Sequence, residues 1–107
     1  MLDMNQMDLL PKEELQLRRK VGTYKQSSKE KNRVWELSDE QARELLQADC
    51  YYCGVNNCLG IDRIDNKVGY TVDNSRPCCK ICNYAKNTQT ETEFFAWVAL
   101  VSKKAGL

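Results

Sequence analysis

The sequence predicts a small α+β domain in which helices flank an irregular, cross-linked centre. Three observations lead there. The chain has 107 residues with only two Trp, two Phe and five Tyr, and a single domain of that size buries too little surface to stand easily without an internal cross-link. All six cysteines fall between Cys50 and Cys82. Outside that stretch, Ser38 and Thr90 each open a run of apolar residues at helical spacing.

The cross-link is either disulfide or metal. Asp3 and Asp8 near the N-terminus, with no long apolar run, do not read as an export signal. No stretch approaches transmembrane length. The chain is therefore expected in a reducing compartment, the cytoplasm, where clustered thiols take up metal rather than oxidise. Cys50 and Cys53 are spaced C-x2-C, as are Cys79 and Cys82. Such a spacing lets a tight turn aim two sulfurs at one ion, and two pairs complete a tetrahedron. With no histidine in the chain, four thiolates point to Zn2+ in a closed, structural site. Cys78 neighbours Cys79 and competes as a ligand at C-x3-C spacing, while Cys58 is spare; both read as small buried residues. An iron–sulfur cluster also uses four cysteines, although nothing else in the sequence points to one.

The elements follow in order. Residues 1–10 carry no clear pattern and are expected to be weakly structured. Pro11 with Glu13 and Glu14 suits a helix start, because proline loses nothing in the first turn and acids favour the positive end. Leu17, Val21 and Tyr24 give that helix an apolar stripe, Gly22 weakens its continuity, and residues 26–32 read as helix end or linker. Val34 and Trp35 suggest a short extended piece, with Trp35 in the core. Ser38 caps the next helix with Gln41 in the capping-box position, and Ala42, Leu45 and Leu46 form its inner face. A loop rich in turn formers (Gly54, Asn56, Asn57, Gly60) precedes a short strand from Ile61 to Ile64, then a turn over 66–69 and a turn or single helical turn over 71–74. Thr90 and Glu93 open a last helix, whose stripe of Phe94, Trp97, Val98 and Val101 is expected in the core. Lys103, Lys104 and Gly106 mark its end.

The net charge of +1 is uninformative, but its distribution is not. Between Leu15 and Trp35 there are seven basic residues against one acid, Glu30, and between Ser38 and Asp49 four acids against Arg43. Charge thus divides the chain into a basic N-terminal helical arm, residues 1–37, and a zinc-stabilised domain, residues 38–107. The arm, through Arg18, Arg19 and Lys20, is the best electrostatic candidate for contact with nucleic acid. The plain alternative is a solvated helix surface.

Between the cysteine pairs lie Gly60-Ile61-Asp62-Arg63-Ile64-Asp65-Asn66 and Gly69-Tyr70-Thr71-Val72-Asp73-Asn74, and the second pair continues Cys79-Lys80-Ile81-Cys82-Asn83-Tyr84-Ala85-Lys86. This arrangement resembles the HNH (His-Me finger, treble-clef zinc) endonuclease superfamily, in the form common among small phage-encoded proteins. The likeness covers about residues 38–97. It implies a ββα-metal core, a DNA substrate, and a catalytic Mg2+ or Mn2+ ion beside the structural zinc. It also implies the cytoplasm of a host cell as the place of work. Position by position, Asp62 falls at an acidic metal ligand, Arg63 at the general-base histidine, Asn74 at the asparagine that holds the hairpin loop, and Asn83 at the last, metal-holding position. Lys86 falls at a basic residue that meets phosphate, and Arg76 and Lys80 stand where they could position the DNA backbone.

The departure is Arg63. Arginine stays protonated at any useful pH and takes no proton from water. Asp65 is the nearest substitute, but odd spacing from Asp62 sets it on the opposite face of a straight strand. Three functions therefore compete: an HNH-type endonuclease or nickase, weak or degenerate; a non-catalytic nucleic-acid-binding module; and a zinc module that binds a host protein through a patch near Tyr51, Tyr52 and Val55. The plainer alternatives are a surface ion pair for Asp62 and Arg63, turn and cap chemistry for Asn74 and Asn83, and a solvated face for Arg76, Lys80 and Lys86.

Overall fold

The computed structural model describes residues 11–107; the expectation for residues 1–10 lies outside the described residues. In chain order the elements are α1 (Pro11–Glu30), α2 (Asp39–Gln47), β1 (Ile61–Arg63), a 3-10 turn (Val72–Asn74), β2 (Ser75–Pro77), α3 (Lys80–Lys86) and α4 (Glu91–Ala105).

Helix α1 runs unbroken through Gly22, where an added Cβ would meet nothing. A mid-helix glycine costs about 1 kcal/mol against alanine. Leu17 and Val21, one turn apart and buried, offset that cost by packing into the core. Helix α2 is closed at its start by a reciprocal cap: Ser38 Oγ accepts from the Gln41 amide (3.0 Å), and Gln41 Oε1 accepts from the Ser38 amide (2.9 Å). Arg43 of α2 reaches back to α1, donating through both Nη atoms to the Glu14 carboxylate at 2.8 and 2.6 Å. Leu17, Val21, Leu37, Ala42, Leu46, Ile61 and Tyr70 form one apolar core, with Tyr24 and Trp35 packed against it. Residues before and after position 38 thus share a single interior.

Strands β1 and β2 pair antiparallel, with Asp62 opposite Arg76 and Arg63 opposite Ser75. The HNH resemblance implies a hairpin, but no local signal marks its β2 strand: three residues ending in proline carry no alternation, and their extended form comes from pairing with β1. Two glycines mark where backbones touch. A Cβ at Gly60 would lie 2.4 Å from the Cys78 carbonyl oxygen, and one at Gly69 would lie 2.3 Å from that of Val34. The second approach lets Tyr70 bridge the extended 34–36 segment, its amide donating to Val34 O and its carbonyl accepting from the Glu36 amide, both at 2.8 Å.

Cys79 caps α3, its Sγ accepting from the Cys82 amide at 3.4 Å. Helix α4 carries the Thr90–Glu93 capping box and ends at Gly106 in a left-handed conformation (φ 79°). Its apolar stripe departs from expectation. Phe94 is buried, but Trp97, Val98 and Val101 are exposed. The helix is tied down through its first turns: Glu91 accepts from Tyr51 Oη (2.6 Å), while Phe94 and Phe95 meet Tyr52. Among the described residues no second layer covers the rest of the stripe.

Candidate metal centre and phosphate groove

The two C-x2-C turns bring four sulfurs together. Those of Cys50, Cys53, Cys79 and Cys82 all lie within 4.8 Å of one another, and none is in a disulfide. Sulfurs about 2.3 Å from a tetrahedral ion stand about 3.8 Å apart; the Cys53–Cys79 separation is 3.7 Å. Left-handed Gly54 turns the first pair back, with its amide donating to Cys50 O at 2.9 Å. The Cys79 amide donates to Cys50 Sγ at 3.3 Å. Burial pushes the Cys50 thiol up, but the amides of Cys79, Cys53 and Tyr52 outweigh it and bring the value down to about 6. Burial and the facing thiols of Cys79 and Cys53 push Cys82 well up instead. The cluster can coordinate a metal ion, and its donor chemistry fits a soft, tetrahedral one.

Cys58 and Cys78 stand outside the cluster. Cys58 donates its thiol to Leu45 O (3.3 Å) and Gly60 O (3.4 Å). Cys78 is fully buried, and burial together with the Asp62 charge pushes its thiol well up.

Beside the hairpin, between α1 and α3, lies a cavity of about 670 Å³. Lys20 and Arg33 reach its lining from the N-terminal segment, Asp62 and Arg63 from β1, and Lys80 and Asn83 from α3. Asp62 is the only carboxylate among these lining residues, and it is already engaged. It is 4% exposed, its Oδ2 accepts from Tyr52 Oη at 2.7 Å, and Lys86 Nζ lies 3.3 Å from Oδ2 and 3.5 Å from Oδ1. Burial and the Asp62 charge push the Tyr52 phenol well up, so it stays a donor. Arg63 does not pair with Asp62. Its Nη1 donates to Asn66 O (2.8 Å) and Val68 O (3.4 Å), and its guanidinium lies 5.6 Å from the centre of the Tyr70 ring. Asn74 is buried under the 64–74 loop. Its Oδ1 accepts from the Asp65 amide (2.9 Å), and its Nδ2 donates to the carbonyls of Asp65, Val68 and Gly69.

Two residues expected to meet the DNA backbone are engaged inside the fold instead. Lys86 is 1% exposed; α3 lays that residue on β1, where Asp62 holds it. Arg76 sits on the face covered by α4, its guanidinium 4.1 Å from the centre of the Tyr51 ring and its Nη1 3.4 Å from Glu91 Oε1. The basic triplet of α1 is also divided. Lys20 lines the cavity, whereas Arg18 pairs with Glu14 at 3.2 Å and Arg19 stands exposed. The patch near Tyr51, Tyr52 and Val55 is similarly split, for Tyr52 turns inward while the other two stay exposed.

Sequence reasoning did not single out Arg33, Tyr24 or Tyr70 as cavity residues, nor Tyr52 as the partner of Asp62. Arg33 belongs to the basic run and could have been named from charge. The tyrosines carry no local signal, because the fold alone brings them there.

No protein-family model matches the chain. It is 41% identical over 72 residues to an uncharacterized protein of Acanthamoeba polyphaga mimivirus, a match that takes in 64% of this chain and 14% of the viral protein. Among solved structures it resembles the rare-cutting HNH restriction endonuclease PacI, which perturbs DNA. The TM-score is 0.66, over 82% of this chain and 78% of that one, at 21% identity. At that identity the likeness is one of fold. Among the described residues, no helix is long and apolar enough to cross a membrane.

Proposed function

We propose that the chain grips the DNA backbone in the groove between α1 and α3, on an HNH-type scaffold held by a structural zinc ion. The observation that carries this reading is the charge of the groove. Lys20, Arg33, Arg63 and Lys80 line it, and its one carboxylate, Asp62, is already neutralised by Lys86. A concave cationic wall draws in a polyanion. Arginine forks match phosphate oxygens, and Arg63, held by two loop carbonyls, is oriented before ligand arrives. The likeness to PacI supports DNA as that polyanion. Cys50, Cys53, Cys79 and Cys82 would hold the zinc, which fixes the start of α3 against the hairpin and leaves no open coordination position.

Mg2+ or Mn2+ at Asp62 and Asn83 does not fit the arrangement as it stands. One Asp62 oxygen accepts from Tyr52, and both lie beside the Lys86 ammonium, which opposes a second cation. Phosphodiester cleavage is the second reading. It is favoured by Asp62, Arg63 and Asn83 lining one cavity, at the positions where the HNH resemblance places the chemistry.

Gel retardation of duplex DNA across a salt series tests the first reading. Log affinity falls linearly with log salt, and K20A/R33A flattens the slope by about 0.9 for each phosphate that is no longer neutralised. No retardation at low salt contradicts it. Incubating supercoiled plasmid with Mg2+ or Mn2+ tests the second. Nicks that vanish in D62A while metal content is unchanged support cleavage; binding without nicks eliminates it.

A further inference from the structure

From Phe94 to Val101 every residue of α4 is apolar, and a helix that is apolar all round is ordinarily buried. Yet Leu100 is 68% exposed and Trp97 46%, with Phe95, Val98 and Val101 also open to solvent. The helix carries its own instructions for what covers it. Glu93, Trp97, Leu100 and Lys104 follow one another at spacings of four, three and four, the interval that keeps one seam in line along a helix. Read from either end, the seam is complementary to itself. In an antiparallel pair centred between Val98 and Ala99, Glu93 of each copy stands opposite Lys104 of the other, and Trp97 opposite Leu100.

We propose that α4 is a self-association surface, and that two copies of this chain pair antiparallel along the seam of Glu93, Trp97, Leu100 and Lys104. Charge complementarity selects the second copy over an unrelated partner, because acid and base sit at mirrored ends of one stripe. A two-fold contact of this kind uses the same patch on both chains, so it closes at the dimer. The Glu93 carboxyl is held below the usual carboxylate range by the Thr90 amide and hydroxyl, which keeps it anionic. Phe94, docked on Tyr52, anchors the first turn and leaves the seam beyond it presented outward.

Sedimentation equilibrium of the full chain tests this, with circular dichroism to confirm that each variant keeps its helix content. The wild type shows a monomer–dimer equilibrium. L100K abolishes it, and E93K or K104E alone raises the dissociation constant about tenfold by setting like charges opposite each other twice per dimer. Mixing E93K with K104E restores pairing, because both crossed contacts become attractive. A wild-type chain that stays monomeric overturns the proposal. So does a mixture that associates no better than either variant alone.

Discussion

Asp62 and Lys86 read in the sequence as separate polar residues, and among the described residues they form the most buried ion pair. Each is polar and lies in a segment that reads as surface, yet they are 4% and 1% exposed. Two opposite charges in that setting stabilise little in total, but losing one strands the other. Replacing Lys86 with alanine should therefore cost about 3–5 kcal/mol, read as a lower urea midpoint, whereas D62N/K86M together should cost clearly less. An unchanged midpoint in K86A would mean that the ammonium is not needed where it lies. The pair also reshapes the chemistry of the groove. The carboxylate is taken up as an internal partner, and the other charged residues that line the groove are cations.

Among the elements, α1 shows tertiary packing overriding local preference. Gly22 argues for a break, but the burial of Leu17 and Val21 holds the helix through it. Because a Cβ at position 22 meets nothing, G22A should raise stability by about 0.5–1 kcal/mol, visible as a higher melting temperature. The junction of α1 with α2 should respond to acid. Hydrogen bonds from Arg43 hold the Glu14 carboxyl below the usual carboxylate range. A depressed folded value contributes stability in full above the unfolded value of about 4.3, and that contribution drains away as pH falls through the folded value. Wild-type stability should thus fall more steeply than that of E14Q below about pH 4.3, measured by urea unfolding at each pH. Parallel slopes would contradict the pairing.

The capping boxes at Ser38 and Thr90 were legible because each needs only residues three apart, and the same holds for the left-handed Gly106. Strand β2 had no such local signal and followed only from the HNH resemblance, since Ser75–Pro77 is extended through its partner. The stripe of α4 was legible as a stripe, but its surroundings were not; periodicity reports a face and not what lies against it. In the candidate site, the cysteine spacing brought four converging sulfurs to light, while the Lys86–Asp62 pair, the turn of Arg76 away from the groove and the contribution of Tyr52 all depend on contacts across the fold.

At the scale of the whole molecule, two interiors meet at the hairpin. One is the apolar core that joins α1, α2 and β1; the other is the small cysteine cluster that seats α3. The groove is the gap between an element held by the first and an element held by the second, so its shape depends on both. Elemental analysis of the purified full chain, paired with thermal melting before and after chelation under reducing conditions, addresses that dependence most directly. One zinc ion per chain is expected, together with loss of the cooperative melt when it is removed and the same loss in Cys79→Ala. A folded chain that carries no metal, or a Cys79→Ala variant that melts like the wild type, would contradict it.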